Sequence, residues 1–404
     1  MPNIVIGRPA RGDDFFDREK EQRQIWTRLN DGNNLLLLAP RRVGKTSLLY
    51  RLRQSAWGEG WLAAYASVAD ARNEGEFLER LIRGISIEKE SARALAPLRQ
   101  GRWKKLFGHF RSAFDEVSLG ELGVKLRELP PQEWSAVARD LKQALPAVRR
   151  RWLIMLDEVP VFVMTLLRAD PSGARARDFL TAFREIRQGT AEQEEDPIQW
   201  ILAGSIGLDN LARRYSMVGT INDCAPFELG AFTPEVADEF LRALAIAVQL
   251  DLGPEVRAHL RERAEWLIPH HLQILVASLR DRCEETDSQP NVELVDAAFE
   301  AVLGHAYRSY FDHWSVRLGE ELGSPDDAYA KRVLTVAARV RAGATASVLS
   351  QALAAEIADP DRRAEVLPWL LDVLARDGYL IEIEGRWRFR SPLLREYWAR
   401  RFDA

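Results

Sequence analysis

Two apolar patterns divide the chain. In the first part, short continuous apolar runs recur: Leu35–Leu38 (LLLL), Trp61–Val68 (WLAAYASV), Gln199–Ala203 and Ala225–Leu229, with RWLIMLDEVPVF at Arg151–Phe162 carrying a buried strand that ends in two carboxylates. Runs this short and this uniformly apolar suit strands covered on both faces of a parallel sheet. Between them, apolar positions at helical spacing predict helices over Phe15–Leu29 (entered at Asp17), Glu76–Ile85, Trp134–Leu145 and Phe179–Arg187. Strands alternating with helices imply right-handed crossovers and an α/β fold. Ser86–Glu128 is less regular, and Gly120, Gly123 and alternating Val124/Leu126 predict a short hairpin there. Glu192–Asp196 reads as an acidic loop.

From Thr233 the pattern becomes helical. Thr233, with Val236 and Ala237 behind it, opens one helix, Pro254 a second and Pro269 a third, PHHLQILVASL. Cys283–Asn291 is polar and turn-rich, the mark of a boundary region. The last part carries several helices and then DGYLIEIEGRWRFRSP, where alternation on either side of Glu384-Gly385 predicts a β-hairpin. Helices followed by such a hairpin suggest a winged-helix fold. The expected division is a core over 1–232, a helical lid over 233–305 and a winged-helix domain over 306–404.

The most specific stretch is LLLLAPRRVGKTSLL, Leu35–Leu49. Ala39–Thr46 reads A-x-x-x-x-G-K-T, the spacing of a phosphate-binding loop, with alanine where glycine is commonest. The order is strand, turn, helix N-terminus. Backbone N–H groups of Arg42, Val43, Gly44, Lys45 and Thr46 can wrap a β-phosphate, and the dipole of the helix starting near Lys45 favours the same anion. Gly44 leaves room for the phosphate, Lys45 supplies charge to the β/γ oxygens, and the Thr46 hydroxyl is a Mg²⁺ ligand. With Ser47 these form the candidate nucleotide-binding set, and the cofactors expected are ATP and Mg²⁺. Downstream, LIMLDE gives the second half: Asp157 as the metal-side carboxylate and Glu158 as the candidate base for an attacking water. Ser205, at the end of ILAGS, is a candidate to touch the γ-phosphate or that water. His270 and His271 are read as one buried and one exposed histidine, without partners at metal-ligand spacing.

Composition narrows the surroundings. A chain of 404 residues with 47% apolar content holds two or three cored domains, and a net charge of −4 argues against a general coat for nucleic acid. Cys224 and Cys283 stand alone, as suits a reducing compartment. No leader-like apolar core opens the chain and no run approaches the roughly 20 apolar residues that span a bilayer. A cytoplasmic location without membrane contact is therefore expected.

FDRE at Phe16–Glu19, APRRVGKTSLL, LDE, AGS and IPHHLQIL together resemble the archaeal-type P-loop ATPase family, related to the AAA+ and STAND groups. The resemblance covers most of residues 14 to 280. It implies a sheet ordered 5-1-4-3-2, with the strand bearing Ser205 between those carrying Lys45 and Asp157. It also implies that Phe16 and Arg18 lie beside the adenine and that Pro269 reaches the nucleotide from the helical lid. One departure bears on rate. Many relatives carry an arginine shortly after the Ser-bearing strand, whereas VGTIND places Thr220 there, with Arg213 and Arg214 nearby as substitutes. An arginine finger contributes about 10³–10⁵ in rate, so its absence implies slow hydrolysis unless a partner supplies the charge.

Three functions use such a site: a nucleotide-dependent switch with a protein partner, a DNA-binding ATPase, and a small-molecule kinase. The helix before the hairpin balances Arg362, Arg363 and Arg376 against Asp361, Glu365 and Asp372, unlike a groove reader. In the hairpin, Arg386, Arg388 and Arg390 share one face and Trp387 and Phe389 the other, a stripe able to grip DNA phosphates or simply to guard an edge strand. No acceptor domain suits a kinase. The switch ranks first and DNA binding second, with ATP or ADP as ligand and a nucleotide-dependent oligomer compatible with both.

Overall fold

Five strands, β1 (Asn34–Leu38), β2 (Leu62–Ser67), β3 (Trp152–Asp157), β4 (Ile198–Gly204) and β5 (Cys224–Glu228), form one sheet in the order 2-3-4-1-5. Every pairing is parallel: Leu35 stands opposite Ile201 of β4 and Ala225 of β5, and Met155 opposite Tyr65 of β2 and Ile201 of β4. This is the order that the sequence resemblance implies. β3 and β4 are buried along their whole length, which explains their unbroken apolar runs. The computed structural model describes residues 2–87, 89–95, 134–145, 148–188, 197–204 and 208–402. The expected hairpin at Gly120–Leu126 and the acidic loop Glu192–Asp196 lie outside them. The chain divides into two units, each with its own interior. One comprises Arg18–Leu38 and Leu48–Glu228, the other Met1–Asp17, Ala39–Ser47 and Leu229–Ala404.

The sheet belongs to the first unit. Its helices are α1 (Glu19–Asn30), the greater part of α2 (Lys45–Ser55), α3 (Glu74–Ile87), α4 (Lys89–Leu95), α5 (Trp134–Ala144), α6 (Val159–Ala169), α7 (Ala174–Arg187) and α8 (Leu208–Arg214). α1 starts two residues later than its apolar stripe suggests. Asp17 and Arg18 take left-handed backbone (φ 55° and 66°), so the helix cannot propagate until Glu19. The strand in RWLIMLDEVPVF ends at Asp157, and VPVF starts α6 with Pro160 in its first turn, where a missing N–H costs nothing. α4 and α8 fall in stretches too short or too polar to show a period. Phe77, Phe162, Phe179 and Phe183 pack ring on ring, with Trp200 of β4 edge-on to Phe183 at 5.4 Å. Buried polar groups at the other end of the sheet are paired: Asn34 accepts from the Trp200 N–H at 2.9 Å, and Arg187 forks onto Asp223 at 2.9 and 3.0 Å.

The second unit is helical: α9 (Pro234–Ala247), α10 (Pro254–Ala264), α11 (Pro269–Thr286), α12 (Val292–Val302), α13 (Ser309–Leu322), α14 (Asp326–Arg339), α15 (Ala346–Ala352), α16 (Pro360–Arg376) and α17 (Pro392–Phe402). Thr233 caps α9 by accepting from Val236 N–H at 3.3 Å. α11 continues through Cys283 to Thr286, so the turn begins later than composition suggested. Between α14 and α17, short β6 (Ala344–Thr345) and the hairpin β7 (Leu380–Ile383) and β8 (Arg386–Phe389) form an antiparallel sheet in the order 6-8-7. Glu384 and Gly385 both have positive φ (52° and 74°), the requirement of a two-residue hairpin turn. Among the described residues no helix is long and apolar enough to cross a membrane.

Gly204 closes β4 against α6. A methyl group there would lie 2.3 Å from Cδ and 2.4 Å from Cγ of Pro160, so only glycine lets the proline ring rest on the strand end. Overpacking a rigid contact of this kind costs about 1–3 kcal/mol. Gly204→Ala is therefore expected to lower the unfolding free energy by that amount, read as a lower urea midpoint in tryptophan-monitored unfolding. An unchanged midpoint would mean that α6 can shift freely.

Candidate functional site

The loop between β1 and α2 is built from unusual backbone. Arg42 (φ 63°) and Gly44 (φ 104°) both adopt positive φ, two residues apart. Such alternation turns successive N–H groups into one concavity, the geometry of anion-binding nests. At φ 104° a side chain is strained, and nothing lies within 4 Å of where a Gly44 Cβ would stand, so that position has both the conformation and the open space a phosphate needs. Lys45 and Thr46 open α2, at the positive end of its dipole. Lys45 is buried, as is Val43, which anchors the loop. Ser47 accepts a hydrogen bond from the Ala10 N–H at 2.9 Å, so its hydroxyl ties down the N-terminal segment.

The two arginines of this loop, inside the same unit, are held by the C-terminal part of the chain. Arg41 Nε donates to Asp377 Oδ2 at 3.3 Å, with both side chains 3% exposed. Arg42 Nε donates to His313 Nε2 at 3.2 Å. Gly378, at φ 90°, follows Asp377, and a methyl there would meet Trp266 at 2.5 Å and Pro40 at 3.0 Å. The chain after α16 therefore passes directly against the start of the phosphate-loop motif. Neither Asp377 nor His313 carries any signal in the sequence, since 336 residues separate Asp377 from Arg41.

His270 and His271 are both buried, correcting the expectation of one exposed ring. α11 is buried on nearly every side over its first turns, so neighbouring positions have no solvent face to share. Burial, with the Arg42 charge nearby, holds His270 well below its ordinary value. The same two causes bring His313 down to about 2, with Arg41 and Arg317 adding to them. Burial takes His271 down to about 3. All three rings are neutral at pH 7.

In the first unit, Asp157 ends β3 and is 2% exposed. Its Oδ1 accepts from the Glu158 N–H at 3.0 Å and its Oδ2 from the Tyr65 hydroxyl at 3.3 Å. Glu158 is half-buried and left-handed (φ 61°), an uncommon conformation for glutamate that persists where surroundings enforce it. Ser205 lies outside the described residues. Thr220 is buried and its hydroxyl donates to Met217 O at 2.7 Å. Arg187 Nη2 donates to the Thr220 carbonyl at 2.6 Å while the same guanidinium forks onto Asp223, so the cation beside Thr220 is committed. Arg213 is exposed and pairs with Asp209 at 3.5 Å, and Arg214 lies over the Tyr215 ring at 6.0 Å.

The remaining candidates separate. Phe16 packs in the second unit against Phe240 and Phe232, at 5.1 and 6.3 Å between centroids. Pro269 is half-buried at the start of α11. Arg18 belongs to the first unit, where its buried guanidinium pairs with Glu21 at 2.7 Å. Of the hairpin arginines, Arg386 is exposed and donates to Gly343 O at 3.3 Å. Arg388 lies 3.8 Å from Glu265, and Arg390 is half-buried over the Trp266 ring at 5.6 Å. All three therefore have partners within the chain, and Arg386 is the most exposed of them.

The residues suit a magnesium nucleotide chemically. Thr46 and Asp157 offer hard oxygen donors, and the described residues contain no group of three His, Cys, Asp or Glu side chains that could cage a metal. Mg²⁺ commonly takes one or two protein oxygens and leaves the rest of its shell to phosphates and water.

Solved structures place the fold. The Walker-type ATPase of Pyrococcus abyssi superposes with a TM-score of 0.62 at 19% identity, covering 98% of this chain and 99% of that one. The ORC2 protein of Aeropyrum pernix, determined in ADPNP–ADP complexes, gives 0.55 at 14% identity, covering 96% and 95%. No protein-family model matches the sequence, and no curated protein matches it. The chain thus has the P-loop ATPase fold over its length.

The depressed histidines make stability depend on pH. Unfolded histidine binds protons below about 6.5, whereas His313 and His271 in the fold stay neutral down to about 2 and 3. Their contribution is complete above pH 6.5 and is lost as pH falls, at about 1.4 kcal/mol per unit and per histidine. Urea unfolding at pH 7, 6 and 5 is expected to show this decline, with a slope about 1.4 kcal/mol per unit shallower in His313→Gln. Equal slopes would mean that His313 titrates normally in the fold.

Proposed function

We propose that this protein is an ATP-binding, slowly hydrolysing switch, organised as an ATPase core (1–232), a helical lid (233–305) and a winged-helix domain (306–404). Arg42–Ser47 cradle the phosphates, Lys45 neutralises the β/γ oxygens, and Thr46 with Asp157 hold Mg²⁺. Glu158 orients the attacking water, and Ser205 contacts the γ-phosphate or that water. Phe16, Arg18 and Pro269 flank the base. Bound Mg²⁺ neutralises the charge that develops on the transferring phosphoryl group.

One observation carries the switch reading: Arg41 and Arg42, the loop's own cations, are bonded to Asp377 and His313. A polyphosphate arriving at this loop adds negative charge beside the Asp377 carboxylate and competes for the arginines. Nucleotide binding and the C-terminal contact are then linked, each changing the other's free energy by the same amount. Breaking a buried ion pair costs about 3–5 kcal/mol, enough to shift a two-state population substantially. A protein partner would read the C-terminal segment once it is released. Slow turnover is the reading that Thr220 in the arginine's place supports, with Arg187 engaged by Asp223 and Arg213 paired with Asp209. DNA binding through the hairpin is the weaker reading, because Arg388 and Arg390 already face Glu265 and Trp266.

Lys45→Ala is expected to abolish ATP binding in isothermal titration without unfolding the protein. Glu158→Gln is expected to keep ATP bound and lose phosphate release. Full ATP affinity in Lys45→Ala would discard the loop assignment.

Asp377→Asn tests the switch itself. Removing the carboxylate is expected to tighten ATP binding about tenfold, equivalent to 1.4 kcal/mol, while lowering the melting temperature through loss of the buried pair. Unchanged or weaker ATP binding, with Lys45→Ala still inactive, would leave an ATPase without this switch.

A further inference from the structure

The carboxylate of Asp157 is fixed at both oxygens, and the second fixing group comes from β2. β2 and β3 run in parallel register with Ser67 opposite Asp157 and Tyr65 opposite Met155. Side chains two residues apart on a strand share a face, so Tyr65 and Asp157 lie diagonally across two neighbouring strands, within reach of a long side chain. The tyrosine hydroxyl donates to Oδ2 at 3.3 Å, leaving Oδ1 to the Glu158 N–H at 3.0 Å. Tyr50 continues the chain. It stands four residues after Thr46 on α2, on the same helix face, with its ring 4.8 Å from that of Tyr65 and its hydroxyl in hydrogen-bond contact.

The backbone around Tyr65 is equally constrained. A methyl group on Gly84 would sit 2.6 Å from the Tyr65 carbonyl oxygen, so α3 closes tightly over that residue. A phenol ordinarily ionises only at about pH 10, so the hydroxyl that meets Asp157 Oδ2 is a donor throughout the physiological range. A phenylalanine would fill the same space, so packing alone does not call for the hydroxyl.

We infer that Tyr65 is the positioning residue for the metal-side carboxylate: its hydroxyl sets the orientation of Asp157, with Tyr50 linking that carboxylate to the helix that opens at the phosphate loop. The inference rests on the proposed role of Asp157 and adds the group that orients it. Outer partners of metal-binding side chains typically change metal affinity by 10–100-fold when removed. Tyr65 acts through Asp157 and touches neither metal nor nucleotide.

The test is Mn²⁺ binding, followed by electron paramagnetic resonance, to the full chain saturated with a non-hydrolysable ATP analogue. Tyr65→Phe is expected to weaken Mn²⁺ about tenfold, the lower end of that range, while metal-free nucleotide affinity and melting temperature stay at wild-type values. Tyr50→Phe is expected to produce a smaller shift in the same direction. Asp157→Asn serves as the reference, with a larger loss. Wild-type Mn²⁺ affinity in Tyr65→Phe, with the loss retained in Asp157→Asn, would overturn the positioning role and leave the nucleotide site intact. Wild-type affinity in Asp157→Asn as well would overturn the assignment of Asp157 on which this inference stands. A lowered melting temperature in Tyr65→Phe with unchanged Mn²⁺ binding would reduce Tyr65 to a packing residue.

Discussion

Strands buried on both faces cannot carry polar side chains along their length, and this constraint orders the rest of the sheet-bearing unit. β3 is buried from Trp152 to Asp157 and β4 from Ile198 to Gly204, so polar chemistry is displaced to their ends. Because all five strands run parallel, those ends lie along one edge of the sheet. Asp157 and Glu158 follow from β3 and the phosphate-loop motif follows from β1. Gly204, at the end of β4 between them, has no side chain because Pro160 occupies that space. The apolar runs in the sequence and the concentration of functional candidates at strand ends share one physical cause.

A second theme is how buried charge is handled. Arg187 is bonded through Nε and Nη2 to Asp223 and the Thr220 carbonyl, an arrangement that ties the loop before β5 to α7. Arg41 meets Asp377 in an equally buried setting, yet it belongs to a loop whose motif is suited to a polyanion. Arg42 rests on a neutral histidine, with two further neutral histidines close by. Burial lowers the Arg42 pKa and the Arg41 and Arg317 charges add to it, while the neutral rings contribute no further positive charge. Arg187 meets its counter-charge within the sheet-bearing unit, whereas Arg41 and Arg42 belong to a loop whose positive-φ backbone suits an anion.

The likeness to solved ATPases extends over nearly the whole chain at 14–19% identity, which establishes architecture. The particular chemistry rests on local residues: Gly44 and Arg42 at positive φ, Lys45 at a helix start, and a carboxylate held by two donors. The hairpin shows the difference. Its turn and alternation follow the pattern, but Arg388 and Arg390 lie against Glu265 and Trp266, so the stripe is partly an internal contact.

The sequence alone determined the strands, the phosphate-loop motif, the strand-end acids and the hairpin turn. Each depends on residues within about ten positions of one another, where periodicity and turn chemistry act. The order of the sheet came from resemblance to relatives and is matched by the strand pairings. Tertiary structure decided what local pattern cannot encode. It delayed α1 past two left-handed residues and buried both His270 and His271 in the first turns of α11. It also decided the partners of the phosphate-loop arginines and of Asp157. Asp377, His313 and Tyr65 look ordinary in sequence and acquire their partners only by proximity across the fold, which is set by the packing of many residues together.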